Sequence, residues 1–247
     1  MQESKIKAFI FDVDGTLMDT VQVFIDAYQE EEEILKKVLG SEEAGEKISL
    51  EFQRDMYAEG GKYKGFLNMY YISESFSKDL VERGLIKEEQ REIVEEKLKD
   101  VYNMMPVLYP DALELLKYIK EKGYMVSFST HSGDWGKDKI EYIWKKLGFN
   151  MDELKYLSIP LEEEKDVDSW KKIINILNVK PEEIVVVGDN PEEDIENSIK
   201  AGIKKCVFLA RALHGDYKFR NEEFEMPKGY DAEVWKVKDL REIKELF

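Results

Sequence analysis

From Pro110 onwards, the chain alternates between short apolar segments and longer segments with helical periodicity. The apolar segments read YMVSFST, LKYLSIP, EIVVVGD and KKCVFLA, and a similar one, KIKAFIFD, begins at Lys5. Strands that are apolar on both faces lie buried between helices, and an intervening helix makes successive strands parallel. The sequence therefore predicts an α/β fold with a doubly wound parallel sheet.

The helical periodicity predicts the positions of the connecting helices. They are expected over residues 111–122, 135–147, 167–177 and 191–201, and the tail YDAEVWKVKDLREIKELF predicts a last short strand and a helix. Asp111 is expected to be the N-cap of the first of these helices, because a short acidic side chain accepts hydrogen bonds from a helix start.

A helical pattern without a convincing strand separates the first strand from this alternation, over residues 20–107. Its first helix has an apolar stripe that begins at Val21, and the acidic run 30–33 is expected on the opposite, solvent-facing side. Further helices are expected near residues 48–57, 66–83 and 87–102. The pattern predicts a small helical domain inserted into the chain.

Carboxylates follow two of the predicted strands. Asp12 and Asp14 follow the first strand, Asp189 ends EIVVVGD, and Asp194 lies five residues further on. Ligands of an open parallel sheet bind at the carboxyl ends of its strands, so these acids are expected to meet there. Two like charges about 4 Å apart repel by about 4 kcal/mol at an effective dielectric constant near 20. An all-oxygen site of this kind suits Mg²⁺.

Four sequence elements resemble the motifs of the haloacid dehalogenase (HAD) superfamily, in the family's order. DVDGTLMDT resembles motif I, Thr130 at the end of its strand resembles motif II, and VVVGDNPEED resembles motif IV. Lys165 resembles the motif III lysine. The helical segment lies between motifs I and II, where the family's helical type-1 cap lies. The resemblance implies a HAD-like Rossmannoid core at residues 1–19 and 108–247, with a cap domain at residues 20–107.

The chain departs from the family pattern at two positions. Asn usually follows the motif II residue, and His131 takes that place here. Pro often follows the motif III lysine, whereas Asp166 follows Lys165. Lys155 and Lys171 therefore remain alternatives for that lysine.

The resemblance implies roles for the acids. Asp12 is the expected nucleophile, which forms an aspartyl phosphate. Asp14 is the expected general acid and base, which protonates the leaving oxygen and then deprotonates water. Mg²⁺ is expected on the Asp12 carboxylate, the backbone carbonyl of Asp14 and the Asp189 carboxylate, and Asp194 would support Lys165 or the metal's waters.

The resemblance also implies residues that bind the substrate. Thr130 would donate a hydrogen bond to a phosphoryl oxygen, Lys165 would add a positive charge, and His131 lies next to Thr130. In the stretch EGGKYKGF, Lys62 and Lys64 would contact the leaving group, as a cap specificity loop does in the family. A solvated turn between helices is the alternative for that stretch.

Charge and composition exclude several other classes. The net charge of −16 is unfavourable for nucleic acid and for an anionic membrane surface. No apolar run is long enough to span a membrane, and the first residues lack a signal-peptide pattern. The single cysteine, Cys206, fits a reducing cytoplasm. Neither GxGxxG nor GxxxxGK[ST] occurs, so dinucleotide-dependent dehydrogenases and P-loop kinases are not indicated.

The expected function is therefore that of a cytoplasmic, Mg²⁺-dependent phosphatase, a monomer or homodimer that hydrolyses a small phosphorylated metabolite. Asp14 favours a phosphate ester over a haloacid, because the family's dehalogenases replace this second aspartate. A phosphomutase of the same fold is the alternative enzyme. A non-catalytic module that senses a phosphometabolite is the alternative from another class.

Overall fold

The computed structural model describes residues 5–58, 60–63, 68–211 and 230–247. These residues form two compact units, which are described separately below. The first unit contains the described residues up to Thr20 and from Pro106 to the C-terminus, and the second contains those from Val21 to Met105. No helix in the described ranges combines the length and apolar character that a membrane crossing requires.

The first unit contains a six-stranded sheet in which every pairing is parallel. Its strands, in chain order, are β1 (Ala8–Phe11), β4 (Met125–Thr130), β5 (Lys155–Ser158), β6 (Ile184–Gly188), β7 (Lys205–Leu209) and β8 (Glu233–Val237). Their order in the sheet is β5-β4-β1-β6-β7-β8, so β1 lies between β4 and β6. The predicted α/β fold with a parallel sheet is confirmed. The short antiparallel pair of β2 (Met18–Asp19) and β3 (Val107–Leu108) was not predicted.

Helices cover both faces of this sheet. They are α5 (Pro110–Glu121), α6 (Gly133–Leu147), α7 (Val167–Leu177) and α8 (Asn197–Lys200). Phe9 and Phe11 of β1 belong to the apolar cluster that contains residues of α5 and α6. Ala8 and Ile10 belong to the opposite cluster, with residues of α7 and α8. Since successive strand residues point to opposite faces, the apolar β1 is buried from both sides.

The structure corrects the role expected for Asp111. Helix α5 begins at Pro110, and its N-cap is Tyr109, because proline is preorganised for the first helical position. The Asp111 carboxylate instead accepts hydrogen bonds from Arg211 Nη2 at 3.0 Å and from the Leu240 backbone N–H at 3.1 Å. Asp111 therefore connects α5 to two later parts of the chain.

Two other predicted helices differ in type. The segment expected as one helix over residues 191–201 is a π-helical turn, Pro191–Glu196, followed by α8. The helix expected in the tail is a 3-10 helix, Leu240–Glu245. The π-helical turn is of functional interest, because such turns are frequent at functional sites.

The second unit is helical in its described residues. It contains α1 (Thr20–Leu39), α2 (Glu42–Tyr57), α3 (Met69–Glu82), α4 (Glu88–Lys99) and a 3-10 turn, Asp100–Asn103. Ser41 caps α2 through the Ala44 N–H, and Asn68 caps α3 through two backbone N–H groups. The rings of Phe52 and Phe76, 4.3 Å apart between centroids, join α2 to α3.

The acidic run on α1 is not wholly solvent-facing. Glu31 has no exposed surface, and its Oε2 accepts a hydrogen bond of 2.9 Å from the Ser49 hydroxyl of α2. Ala27 and Leu35, four residues before and after Glu31, are also buried. Residues four apart share one face of a helix, so Glu31 lies on the apolar stripe.

Candidate active site

The central three strands bring the candidate site residues to one edge of the sheet. Asp12 follows the end of β1, Thr130 ends β4, and Asp189 follows the end of β6. The Asp12 backbone N–H donates to the Val187 carbonyl at 2.9 Å, which continues the β1–β6 pairing up to the site. The carboxyl ends of parallel strands are the usual place for a ligand site in such a sheet.

Three carboxylates meet at this edge. One oxygen from each of Asp12, Asp189 and Asp194 lies within 4.8 Å of the others. The π-helical turn brings Asp194 back to the end of β6, where the Asn190 backbone N–H donates to Asp194 Oδ2 at 2.9 Å. A side chain at Gly188 would collide with the Asp194 carboxylate. The glycine of the GD sequence thus gives Asp194 room beside the strand.

Lys165 is the cation of this cluster. Its side chain is buried, and its Nζ donates to Asp12 Oδ1 at 2.7 Å and to Asp194 Oδ1 at 2.6 Å. Of the two alternatives from the sequence, Lys171 is exposed and pairs with Asp168, and Lys155 lies on β5 at the opposite end from the strand's carboxyl edge. The geometry thus favours Lys165 as the motif III lysine.

Burial and charge set the protonation of this cluster. Burial raises the pKa of Asp12 from 3.8 to about 7, against the opposing charge of Lys165. Burial also raises the pKa of Asp194, again opposed by Lys165. Burial would lower the pKa of Lys165, but the charges of Asp12 and Asp194 raise it above its ordinary value. The lysine is therefore a fixed positive charge.

The acid cluster suits a divalent metal ion. Asp12, Asp189 and Asp194, when ionised, carry three negative charges, and Lys165 neutralises one of them. The two remaining charges match a divalent cation, and carboxylate oxygens are the ligands that Mg²⁺ prefers. The raised pKa of Asp12 also indicates that the cluster lacks positive charge, because a buried carboxylate without a sufficient cation keeps its proton.

Asp14 lies in a different environment. Its Oδ2 accepts hydrogen bonds from the Thr130 hydroxyl at 2.7 Å and from the Ser132 hydroxyl at 2.6 Å. Its Oδ1 contacts the ammonium group of Lys139. Burial would raise the pKa of Asp14, but the Lys139 charge and these hydrogen bonds lower it below its ordinary value. Asp14 is therefore held as a carboxylate, apart from the acid cluster.

Ser132 and Lys139 were not predicted from the sequence. A signal for Lys139 was present, because it lies four residues from both Trp135 and Ile143 on the buried face of α6. A lysine on an apolar helix face is rarely buried unless it is paired. Ser132 carries no comparable signal, since a serine before a helix is most often a cap.

The other predicted binding residues are placed as follows. His131 is largely buried, and its Nδ1 lies 4.0 Å from a carboxylate oxygen of Glu193. Burial lowers the pKa of His131. Lys62, in the second unit, lies 3.7 Å from Asp79 and over the ring of Tyr63. Lys64 lies outside the described residues. A substrate contact of these three residues stays a prediction.

Structures of similar proteins share this fold. A haloacid dehalogenase-like family hydrolase from Xanthomonas campestris aligns with a TM-score of 0.66 and 15% identity, over 98% of this chain and 96% of that one. A HAD phosphatase from Thermococcus onnurineus gives 0.58 and 20%, over 98% and 97%. A 2-haloacid dehalogenase from Pseudomonas syringae gives 0.54 and 18%, over 98% and 97%. At these identities the likeness shows the fold alone.

Sequence comparison identifies the family. No curated protein matches the chain. The family model of haloacid dehalogenase-like hydrolases, however, matches residues 6–202, which is most of the sequence and includes every residue of the acid cluster. The fold, the order of the motifs and this match agree, and the chain belongs to the haloacid dehalogenase-like hydrolases.

Proposed function

We propose that this hydrolase is an Mg²⁺-dependent phosphatase that cleaves small phosphomonoesters through an aspartyl-phosphate intermediate. The observation that carries the proposal is that Asp12 and Asp14, the two aspartates of DVD, lie in different environments. Asp12 lies in the acid cluster beside Lys165, whereas Asp14 is bound by hydroxyl groups and Lys139. Two carboxylates in contrasting environments can take different parts in one reaction.

In this proposal Asp12, Asp189 and the backbone carbonyl of Asp14 hold Mg²⁺, with Asp194 in support. A bound Mg²⁺ supplies Lewis-acid stabilisation of charge on the phosphoryl group. The Asp12 carboxylate attacks phosphorus, and Lys165 stabilises the negative charge that collects on the phosphoryl oxygens. Thr130 donates a hydrogen bond to one of those oxygens when the substrate displaces it from Asp14.

Proton movement through Asp14 follows from its environment. Because Asp14 is ionised in the free enzyme, the first proton comes from the phosphoryl group of a monoanionic ester and passes through Asp14 to the ester oxygen. The Asp12–phosphorus bond forms as the phosphorus–oxygen bond breaks and the alcohol leaves. Asp14 then takes a proton from water as the water oxygen attacks phosphorus and the bond between the Asp12 oxygen and phosphorus breaks. This frees the Asp12 carboxylate, and the proton leaves with phosphate.

Asp14 also separates the proposed activity from dehalogenation. The chain has similar folds to both a phosphatase and a dehalogenase, so the fold does not choose between them. A halide leaves without a proton, whereas an alkoxide needs one. The second aspartate of DVD, a carboxylate held by two hydroxyls and an ammonium group, is therefore useful for an ester and superfluous for a haloacid.

The proposal includes a cytoplasmic location, supported by the single cysteine, Cys206, which is buried and free. It names a small phosphorylated metabolite as the substrate. A phosphomutase would use the same groups and differ by retaining the phosphoryl group until the intermediate binds again.

The test is phosphate release from p-nitrophenyl phosphate and from a panel of sugar phosphates, phosphoglycolate, nucleotides and phosphoserine, with Mg²⁺ and with chelator. We expect phosphate release that requires Mg²⁺ and is lost in Asp12→Asn. Asp134→Asn is the matched control, because Asp134 is an exposed aspartate of the first unit. Halide release from 2-haloacids without phosphate release would refute the proposal, and isomerisation faster than phosphate release would identify a mutase.

A further inference from the structure

A second buried lysine lies beside motif I. Lys139, on α6, has no exposed surface. Its ammonium group contacts Asp14 Oδ1, lies 3.2 Å from the Ser132 hydroxyl, and lies over the ring of Trp135 at 3.6 Å from the centroid. An ammonium group is rarely taken out of water unless a carboxylate pairs with it. The pairing with Asp14 accounts for the burial of Lys139.

The groups around Asp14 form one closed network. Lys139 engages one carboxylate oxygen, and the hydroxyls of Thr130 and Ser132 engage the other. The two hydroxyls also lie 3.2 Å from each other. With both oxygens held from different directions, the Asp14 carboxylate has one orientation. Thr130 comes from the strand end and Ser132 from the turn before α6, so Lys139 is the member that reaches the network from within a helix.

Lys165 is not the lysine that pairs with Asp14. Its two hydrogen bonds go to Asp12 and Asp194. Asp12 and Asp14 therefore each have a buried lysine of their own, and the family resemblance accounts for only one of these lysines.

We propose that Lys139, with Ser132, is a positioning residue that fixes the orientation of Asp14 for proton transfer to the leaving oxygen. The inference rests on the proposed phosphatase function and deepens it. In the absence of Lys139, Ser132 alone would hold Asp14 once Thr130 donates to the substrate, and the carboxylate would rotate about that single hydrogen bond. Since Asp12 keeps its hydrogen bond from Lys165, the attack on phosphorus would be affected less than the proton transfer.

Leaving groups of different basicity distinguish positioning from a general structural role. The kcat/KM of a phosphatase that forms a phosphoenzyme reports the steps up to its formation. An alkyl phosphate, such as glycerol phosphate, needs a proton on its leaving oxygen in those steps, whereas p-nitrophenolate leaves without one. Lys139→Met is expected to lower kcat/KM on the order of 10²-fold for the alkyl ester, since general acid catalysis contributes at least that much. The aryl ester is expected to change by less than about threefold, because its leaving group gains little from general acid catalysis.

Lys137→Met is the matched control, because Lys137 is an exposed lysine on the same helix; it should leave both values unchanged. Equal losses on both esters in Lys139→Met, or no loss on either, would overturn the inference while the proposed function stands. If the wild-type enzyme released no phosphate from any ester, the proposed function would fail, and the inference with it.

Ser132→Ala keeps the inference testable if Lys139→Met does not fold, which circular dichroism would reveal. It removes one hydroxyl contact to Asp14 and retains the buried ion pair. A selective loss on the alkyl ester is again expected, on the order of tenfold, since part of a general acid contribution of 10²-fold or more is lost. An equal response of the two esters in this variant would overturn the role assigned to the network.

Discussion

The buried Glu31 allows the effect of a buried acid on the free energy of unfolding to be measured. Its side chain is fully buried between α1 and α2, one oxygen accepts from Ser49, and the other makes no hydrogen bond within the described residues. Burial raises the pKa of Glu31 from 4.5 to about 8, only partly opposed by the Ser49 hydrogen bond. We expect Glu31→Gln, which removes the titrating group and keeps its shape, to remove a large pH dependence of stability.

The sign follows from proton linkage. Folding raises the pKa of Glu31, so the folded state keeps a proton that the unfolded chain releases. The free energy of unfolding is therefore highest below the unfolded pKa, near 4.5, and falls as the pH rises through about 8. Between about pH 5 and about pH 9 this one group should lower the free energy of unfolding by about 4 kcal/mol. The constant cost of burying the Gln amide cancels in this difference between two pH values.

Urea unfolding followed by far-ultraviolet circular dichroism is the suitable assay. The four tryptophans, at positions 135, 144, 170 and 235, all lie in the first unit, so their fluorescence would not report on the helices of the second. The wild-type protein should lose about 4 kcal/mol more than Glu31→Gln over this pH interval. Glu33→Gln is the control, since Glu33 is exposed on the same helix. Parallel pH profiles for the wild type and Glu31→Gln would refute the reasoning.

Three further outcomes are expected. Lys165→Met should lower the free energy of unfolding in chelator by about 3–5 kcal/mol in urea titrations, because it leaves buried carboxylates unpaired. Asp14→Asn should keep the calorimetric Mg²⁺ affinity, since the expected ligand is its backbone carbonyl, while turnover of alkyl phosphates falls on the order of 10²–10⁴-fold. Asp111→Asn should cost about 1.5–3 kcal/mol in thermal or urea unfolding, through its charged hydrogen bonds to Arg211.

Strand ends were the part of the site that the sequence could predict. A strand that is apolar on both faces lies buried between the helix layers of an open parallel sheet. The polar residues after it lie at the carboxyl end of the strands, where ligands bind. Asp12 and Asp189 needed only this rule, whereas Thr130 was predicted through the family resemblance. Lys165 lies on a connecting segment, where no periodicity fixes direction, so the family resemblance and then the structure were needed to favour it over the neighbouring lysines.

The contacts that the sequence did not predict depend on residues from different elements meeting in space. Asp111 is of a residue type that commonly caps helices, but its partners, Arg211 and Leu240, lie far along the chain. The acidic run 30–33 predicts a solvent-facing side, although the spacing of Glu31 from Ala27 and Leu35 places it on the buried stripe. Local residue type was a poorer guide than position on the helix face in that case.

Two acids two residues apart would face the same side if β1 continued through them, and they would repel each other there. The chain resolves this by ending the strand and supplying a separate cation to each acid: Lys165 to Asp12 from the segment before α7, and Lys139 to Asp14 from α6. If the acids have separate tasks, the lysines should too. Loss of Lys165 should slow aryl and alkyl phosphates alike, because both require attack by Asp12. A Lys165→Met enzyme that retained full activity on p-nitrophenyl phosphate would contradict this division of tasks.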